Sequence, residues 1–275
     1  MAYYPDISHW KPVSDWEAVA KNCPFMISKA TEGTHFVDSY LQTFVRKCEQ
    51  YHIPYWLYTF LNAGNEKSQA EYMVKICNPI IGPFFRGYVL DVESNNPAKG
   101  VQEALDYIKT QSEKTILYTM YAQYAKYLPV IMSRGESCAW WEARYGANTG
   151  SYSMPCHVGV DLHQYTSKGV CPGIGANTDL NRLTGTKAEE WFTGESKPQP
   201  EPITEEDEMQ GLIKEPGKDA VYYYNIESKT MWWVPDPNCL RLLIDEYKRA
   251  YGTDIKYMDS SKFNTLKKLI KGKSV

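Results

Sequence analysis

Apolar segments of strand length alternate with amphipathic segments along the first 130 residues of the chain. Between the apolar segments, apolar residues recur at the spacing of an α-helix. Ser14 and Glu17 have the spacing of a capping box at the start of the first helix. Strand–helix units in series are typical of a parallel sheet covered by helices. The predicted strands are residues 2–8, 24–31, 54–61, 87–93 and 115–120, and the predicted helices are residues 14–21, 38–50, 66–77, 97–110 and 122–128.

The pattern changes after about residue 130. Residues 137–145, 158–165 and 178–183 have strand character, and no long helical pattern separates them. Five strand–helix units followed by three strands give eight strands, the number that closes a small barrel. The sequence therefore predicts an α/β fold, an irregular TIM-like (β/α)5(β)3 barrel with an incomplete outer ring of helices, over residues 1–193.

A segment of different composition follows the predicted barrel. Residues 194–208, GESKPQPEPITEEDE, contain three prolines and a single large apolar residue, Ile203. This is the composition of a linker. The segment carries one Lys against six acidic residues, whereas residues 209–275 carry 12 Lys and Arg against 8 Asp and Glu. We predict a Pro-rich acidic linker between the barrel and a second domain of residues 209–275.

The segment after the linker has a folding pattern of its own. The stretches VYYYN and TMWWV flank a turn-like IESK, which predicts a β-hairpin. Asp236 and Pro237 predict the cap and first position of a helix that Gly252 ends. Residues 255–258 and a last helix from Ser260 complete a small α+β domain. Because such a domain buries little surface alone, we expect it to self-associate or to pack on its neighbour.

Composition and short motifs exclude several classes of protein. The seven cysteines include no CxxC pair, which favours reduced thiols over a disulfide framework or a zinc ribbon. The five histidines show no metal-ligand spacing, and no GxGxxG, GxxxxGK[ST] or GxSxG motif occurs. We therefore expect no metal and no cofactor. The net charge of −3 gives no reason to expect nucleic-acid binding.

The chain offers no sign of a membrane segment. No apolar run approaches the roughly 20 residues that a membrane span needs. The opening residues, MAYYPDISHW, lack both a basic n-region and an apolar h-region, so no signal peptide is expected. A protein that works outside the cell would then depend on another factor for its export.

Two carboxylates at the end of the fourth predicted strand carry the sharpest chemical signal. Asp91 and Glu93 are two residues apart in GYVLDVES, so both side chains point to the same side of the strand, roughly 6.6 Å apart at Cα. In parallel barrels the carboxyl ends of the strands hold the chemistry. Glycosidases use one carboxylic acid and a second carboxylate to cleave the glycosidic bond. The alternative is that these two residues simply end a strand in solvent.

Further acids and aromatic side chains fall at the same ends of the predicted strands. Asp6 lies in the first strand and Asp179 in the last, so four acids would make an anionic cavity suited to a cationic transition state. Each Asp taken alone could equally be a cap or turn residue. Aromatic rings stack on the apolar faces of sugars, and the candidate substrate-binding residues are Tyr58, Tyr118, Trp141 and Tyr165.

Five stretches of the chain, in order, resemble the glycoside hydrolase family 25 lysozymes. The resemblance runs from about residue 4 to 185 and implies a barrel of five strand–helix units plus three strands. It also implies cleavage of the β-1,4 bond between N-acetylmuramic acid and N-acetylglucosamine. The matching stretches are Asp6-Ile7-Ser8-His9-Trp10, Ser28-Lys29-Ala30-Thr31-Glu32-Gly33, Val89-Leu90-Asp91-Val92-Glu93, Trp141-Glu142-Ala143-Arg144-Tyr145-Gly146 and Gly173-Ile174 with Thr178-Asp179-Leu180-Asn181-Arg182.

The resemblance also implies roles for the acids. Glu93 resembles the general acid, and Asp91 resembles the carboxylate that orients or polarises the 2-acetamido group of the substrate. Asp6 and Asp179 resemble further acids of the cavity, and the family is described as retaining, with the acetamido oxygen as internal nucleophile. The chain departs from the family at His163, where Trp is common, which leaves open how, or whether, this position contacts sugar.

A family 25 domain followed by a short module resembles a bacteriophage endolysin. This implies synthesis in the bacterial cytoplasm, release to the cell wall, and binding of wall polymers by residues 209–275. The acidic run before Met209 implies a purine-rich message, so we also expect an internal translation start that makes a free copy of the tail. Two alternatives remain: a non-catalytic glycan-binding protein on the same barrel, and a chitinase-like glycosidase.

Overall fold

The computed structural model describes residues 2–194, 210–226, 229–258 and 260–271. The chain divides into two compact units, Met1–Glu195 and Ser196–Val275. From residue 195 onward the predicted linker lies outside the described residues, as does Met209, the residue of the predicted internal start. None of the described helices combines the length and the apolar character needed to cross a membrane.

The first unit is a closed barrel of eight strands. β1 pairs in parallel with β2 and antiparallel with β9, which closes the sheet, and β9 alone among the barrel strands runs antiparallel to its neighbours. The predicted (β/α)5(β)3 barrel is confirmed. Around the barrel the strands are β1 (Tyr4–Ile7), β2 (Met26–Glu32), β4 (Tyr55–Phe60), β5 (Phe85–Val92), β6 (Thr115–Met120), β7 (Cys138–Ala143), β8 (Leu162–Cys171) and β9 (Gly175–Leu183), with β3 (Phe36–Val37) outside on β2.

Five helices follow the first five barrel strands, as predicted, and a short sixth was not foreseen. The predicted capping box at Ser14 is wrong. Asp15 caps the first helix by accepting from the Ala18 N–H at 3.0 Å, because the Ser14 hydroxyl donates to the Gly173 carbonyl at 2.9 Å instead. The helices are α1 (Trp16–Asn22), α2 (Leu41–Tyr51), α3 (Glu66–Cys77), α4 (Ala98–Lys109), α5 (Tyr124–Ser133) and α6 (Glu189–Thr193).

Alternation along the strands separates two cores. Val89 and Asp91 of β5 face the barrel interior, where Val89 packs in one apolar cluster. Even-numbered residues such as Leu90 pack between the strands and the helices. At the amino end of the barrel, Phe192 of α6 stacks on Phe25 at 5.2 Å, and its carbonyl accepts from Trp56 Nε1 at 3.0 Å. The barrel interior is therefore closed by these side chains at its amino end, and it is open at the carboxyl ends of the strands.

The second unit is a four-stranded sheet with a helix on each face. Leu212 packs with one helix and its neighbour Ile213 with the other, because successive side chains of a strand point to opposite faces. The predicted hairpin and the Asp236 helix cap are both present. The elements are β10 (Gln210–Lys214), β11 (Val221–Asn225), β12 (Thr230–Val234), α7 (Pro237–Tyr251), β13 (Tyr257–Met258) and α8 (Phe263–Lys271), in the sheet order β12-β11-β10-β13.

Candidate functional site

An open cavity of ≈ 380 Å³ lies at the carboxyl ends of the parallel barrel strands. Its lining residues come from seven of the eight barrel strands or from positions just after them, so the closure of the barrel builds the site. The structure brings together all four acids and three of the four aromatic residues that the sequence predicted. The lining residues are Asp6, Tyr58, Asp91, Glu93, Tyr118, Trp141, Tyr145, Gln164 and Asp179.

Asp6 is held by two amide side chains. Gln164 Nε2 lies 3.0 and 2.9 Å from its two carboxylate oxygens, and Asn181 Nδ2 donates to Oδ2 at 2.8 Å. Burial raises the pKa of Asp6 to about 6, although these two amides act in the opposite direction. Asp6 is therefore a carboxylate above that pH, and it fixes the orientation of both amides because it can only accept their hydrogen bonds.

Asp91 contrasts with Asp6. It is 7 % exposed, and its Oδ1 has no hydrogen-bond partner among the described residues. Burial raises the pKa of Asp91 well above its ordinary value, and the neighbouring Glu93 and Asp6 raise it further. A buried carboxyl oxygen without a partner is costly, and it lines a cavity in which a substrate group could satisfy it.

Glu93 stands at the mouth of the cavity, two residues further along the same side of the chain. Partial desolvation raises the pKa of Glu93, while the Tyr118 hydroxyl and the Lys29 ammonium lower it. A raised pKa keeps a carboxyl protonated closer to neutral pH, which is the condition for a general acid.

Asp179 completes the acidic cluster from β9, opposite Asp6 in the strand register. Its pKa rises to about 8, chiefly through burial and then through the charges of Asp6 and Glu93. Like charges this close cannot all be present together, so the four carboxyls share protons and titrate as a group. Near neutral pH the cavity therefore holds both carboxylates and carboxylic acids.

Two tyrosines, one tryptophan and two amides form a hydrogen-bond network at the cavity. The hydroxyls of Tyr118 and Tyr145 donate to Gln164 Oε1 at 2.9 and 2.7 Å. Trp141 Nε1 donates to Asn181 Oδ1 at 2.7 Å. The rings of Trp141 and Tyr118 pack edge to face, with their centroids 4.4 Å apart. Because Asp6 accepts from both amide nitrogens, the two amide oxygens are turned toward Tyr118, Tyr145 and Trp141 and accept their hydrogen bonds.

Tyr165, a predicted substrate-binding residue, does not line the cavity. It packs with the apolar residues between the barrel and the helices, because Gln164 takes the inward position on β8 and the next side chain must point outward. Tyr145 and Gln164 occupy the cavity instead. The signal that would have found Gln164 is its place two residues after Leu162, an interior residue.

His163 also faces away from the cavity. It is fully buried, its Nε2 lies 3.0 Å from the Arg144 carbonyl, and its ring meets Tyr152 edge-on at 5.8 Å. The position where this chain departs from the resembled family therefore lies outside the acidic cavity. Among the described residues, no three His, Cys, Asp or Glu side chains are grouped so as to hold a metal ion.

Comparisons with known proteins bear on both the sequence and the fold. The model of the family described as "Glycosyl hydrolases family 25" matches residues 5–174. A search of curated proteins found no match to this chain.

Three solved structures illustrate the likeness of fold. The catalytic domain of endolysin ply40 from bacteriophage P40 of Listeria monocytogenes is 24 % identical, with 67 % of this chain and 94 % of that chain covered and a TM-score of 0.58. The bacterial lysozyme from Streptomyces coelicolor is 20 % identical, with 70 % and 97 % covered and a TM-score of 0.57. The CTP1L endolysin is 18 % identical, with 67 % of each chain covered and a TM-score of 0.54.

Proposed function

The chain belongs to glycosyl hydrolase family 25, and we propose that it is an endolysin-type muramidase. Its substrate is the glycan of bacterial peptidoglycan, and the bond it hydrolyses is the β-1,4 bond between N-acetylmuramic acid and N-acetylglucosamine. Glu93 is the general acid, and the anomeric configuration is retained. The observation that carries this proposal is the pair formed by Glu93 and Asp91, whose buried Oδ1 has no partner among the described residues.

The geometry supports a substrate-assisted displacement. In the protonation state that has the shared proton on Glu93, Asp91 is the carboxylate that accepts a hydrogen bond from the N–H of the 2-acetamido group and turns the acetamido oxygen toward the anomeric carbon. That oxygen attacks the anomeric carbon as the glycosidic C–O bond breaks, and Glu93 donates its proton to the leaving oxygen. The resulting Glu93 carboxylate then takes a proton from the water that opens the cyclic intermediate. Two inversions at the same carbon give net retention.

The electrostatics of the cavity suit this sequence of steps. Positive charge develops on the sugar in the oxocarbenium-like transition state, and carboxylates held in a low-dielectric cavity stabilise it more than they would in water. The raised pKa of Glu93 leaves a proton available for donation near neutral pH. Activity should therefore fall on the alkaline side as Glu93 loses that proton.

The test is mass spectrometry of the fragments released from purified peptidoglycan. Wild type should release fragments with N-acetylmuramic acid at the reducing end, and Glu93→Gln should lower the rate by at least about 100-fold with unchanged folding. Glu136→Gln is the matched control, since that carboxylate is fully exposed on the surface.

Other outcomes separate the alternatives. Binding of peptidoglycan without release of fragments would point to a glycan-binding protein. Preferential cutting of chitin oligomers would point to a chitinase-like enzyme. A folded Glu93→Gln variant that cleaves as fast as wild type would remove Glu93 from the reaction.

For the second unit we propose binding to cell-wall polymers. Trp232 and Trp233 on the edge strand β12 are 57 % and 58 % exposed, which is unusual for such large apolar side chains. In the full chain, Trp232→Ala should reduce co-sedimentation with purified walls and leave cleavage of soluble fragments unchanged. Leu242→Ala, which removes another exposed apolar side chain of this unit, is the control. Equal co-sedimentation of wild type and Trp232→Ala would argue against this role.

We propose that the protein is made in the bacterial cytoplasm, and that an internal start at Met209 yields a free copy of the tail, which self-associates with the full chain. The activity of the CTP1L endolysin is described as regulated by a secondary translation product. Expression of the native gene should give a second band of about 8 kDa, as expected for 67 residues of ordinary composition. Replacing the Met209 codon with a Leu codon should remove it, and a single full-length product would refute the idea.

A further inference from the structure

Three rings lie side by side at the end of the barrel that holds the cavity. His9 and Trp10 follow β1, and Phe36 begins β3; we call these three residues the aromatic rim. The rings of His9 and Trp10 are 4.4 Å apart and those of His9 and Phe36 are 5.8 Å apart. Trp10 is 79 % exposed and Phe36 is 41 % exposed. Isolated exposed apolar residues are ordinary, but a contiguous row beside a cavity indicates a binding surface.

The aromatic rim is exposed but held in place. Both the backbone N–H and the Nδ1 of His9 contact Asp38 Oδ2, at 3.1 and 2.7 Å. The Asp38 carboxylate is 2 % exposed, and its other oxygen accepts from the Tyr40 N–H at 2.8 Å. The central ring of the row is thus anchored to a buried carboxylate. A ring held in one orientation loses little conformational entropy when it binds a ligand.

The aromatic rim lies at the same end of the barrel as the acidic cavity. His9 and Trp10 come three and four residues after Asp6, which lines the cavity, and Phe36 pairs with Glu32 at the carboxyl end of β2. On one side Lys11, next to Trp10, donates to the Ala176 carbonyl at 3.0 Å, and its charge lowers the pKa of Asp179. On the other side Lys29 lies 5.5 Å from the ring centroid of Phe36, and its charge lowers the pKa of Glu93. The rim therefore lies on the surface at the end of the barrel where the cavity opens, with one lysine near each of its ends.

We propose that the aromatic rim is a further glycan subsite, where Trp10 stacks on a sugar ring of the same strand that is cut at Glu93. This inference rests on the proposed function. A glycan strand is longer than the cavity and must leave it along the protein surface. The apolar face of a pyranose matches an exposed indole, while its hydroxyl groups remain in water. A row of rings at the end of the barrel where the cavity opens fits a linear chain of sugars that leaves the cavity.

The subsite acts on a part of the substrate that is remote from the reacting bond. Oligomers too short to reach Trp10 gain nothing from it, whereas longer oligomers gain binding energy. The specificity constant kcat/KM should therefore rise with oligomer length in the wild type, and removal of the Trp10 indole should abolish that rise. A stacked aromatic contact changes binding by up to about tenfold.

The experiment compares wild type, Trp10→Ala and Trp10→Phe on peptidoglycan glycan oligomers of increasing length. Trp10→Ala should lose about tenfold in kcat/KM on the long oligomers, mainly through KM, and nothing on the shortest oligomer that is cleaved. Trp10→Phe should recover most of the loss, because it restores an aromatic face. Met132→Ala is the matched control, since Met132 is 74 % exposed near the end of α5.

Two results would overturn the subsite. One is a Trp10→Ala variant that matches wild type on every length of oligomer. The other is an equal loss on all lengths, which would mean that Trp10 supports the fold or the reaction itself. Failure of the wild type to cleave any oligomer would instead count against the proposed function, so the two failures are distinguishable.

Discussion

Asp91 and Asp161 are both buried carboxylates of the barrel, but their surroundings differ. Asp161 is 3 % exposed and accepts from the Trp140 N–H at 2.8 Å and from the Thr186 hydroxyl at 2.7 Å, while Arg134 lies 3.6 Å away. Asp91 is 7 % exposed and leaves one oxygen without a partner among the described residues. Asp161 is therefore a structural residue that ties β7 to the chain after β9.

The same contrast separates other acids of the barrel. Glu142 is fully buried and receives hydrogen bonds from the backbone N–H and the Nδ1 of His157, at 2.9 and 2.7 Å. The pKa of Asp179, at the cavity, is raised to about 8, and the described residues give Asp179 no ion pair. Burial alone therefore does not mark a catalytic acid. A buried acid whose partners are missing carries a stability cost, and that cost points to function.

The largest expected effect is on activity, at Asp91. Asp91→Asn should lower kcat by about 100-fold or more, because the amide cannot polarise the acetamido group as a carboxylate does. Its melting temperature should equal or exceed that of wild type, since the substitution removes a buried ionisable group. Calorimetry beside the activity assay measures both, and a large loss of stability would place Asp91 with the structural acids.

Asp161→Asn should show the opposite behaviour. It should lower the free energy of unfolding by about 2 kcal/mol, because at least one buried donor loses a charged acceptor. The activity per folded molecule should stay within about twofold of wild type. Denaturant titration gives the stability. A variant that is stable but inactive would contradict the contrast between the two aspartates.

Asp179→Asn should raise stability in a pH-dependent way. In the unfolded chain Asp179 loses its proton near its ordinary pKa of 3.8, whereas the folded protein keeps it until about pH 8. The folded state thus binds more protons over this window, so this group's contribution to stability is full below about pH 4 and is lost as the pH rises to about 8.

The asparagine variant does not suffer that loss. Its advantage over wild type should be small at pH 4 and grow to roughly 1–2 kcal/mol by pH 8, a discounted fraction of the full shift because the carboxyls titrate together. Melting temperatures at several pH values measure it. A constant difference between pH 4 and pH 8 would mean that Asp179 titrates normally in the folded protein.

The smallest effects should come from a matched pair of tyrosines. Tyr145→Phe removes a hydroxyl that donates to Gln164 at 2.7 Å in the cavity, so KM should rise several-fold. Tyr165→Phe lies outside the cavity and should change KM by less than about twofold. If Tyr165→Phe has the larger effect, the assignment of cavity residues on β8 is incorrect.

Much of the fold and part of the site follow from local sequence. The alternation of Val89, Asp91 and Glu93 on one side of a strand needs no tertiary information, since the side-chain period of a strand is two. The eight strands were predictable for the same reason. The two-residue strand β3 and the helix α6 were not, because such short elements carry too few residues to establish a period.

Tertiary structure decided which residues share the cavity with those acids. The amides of Gln164 and Asn181 reach Asp6 from residues 158 and 175 positions away, and only closure of the barrel through β1 and β9 brings them together. Tertiary structure also decided the pKa of each carboxyl, because desolvation and neighbouring charges depend on the whole surrounding structure. The sequence determined which acids point inward, and the closed barrel determined which of them have hydrogen-bond partners and which do not.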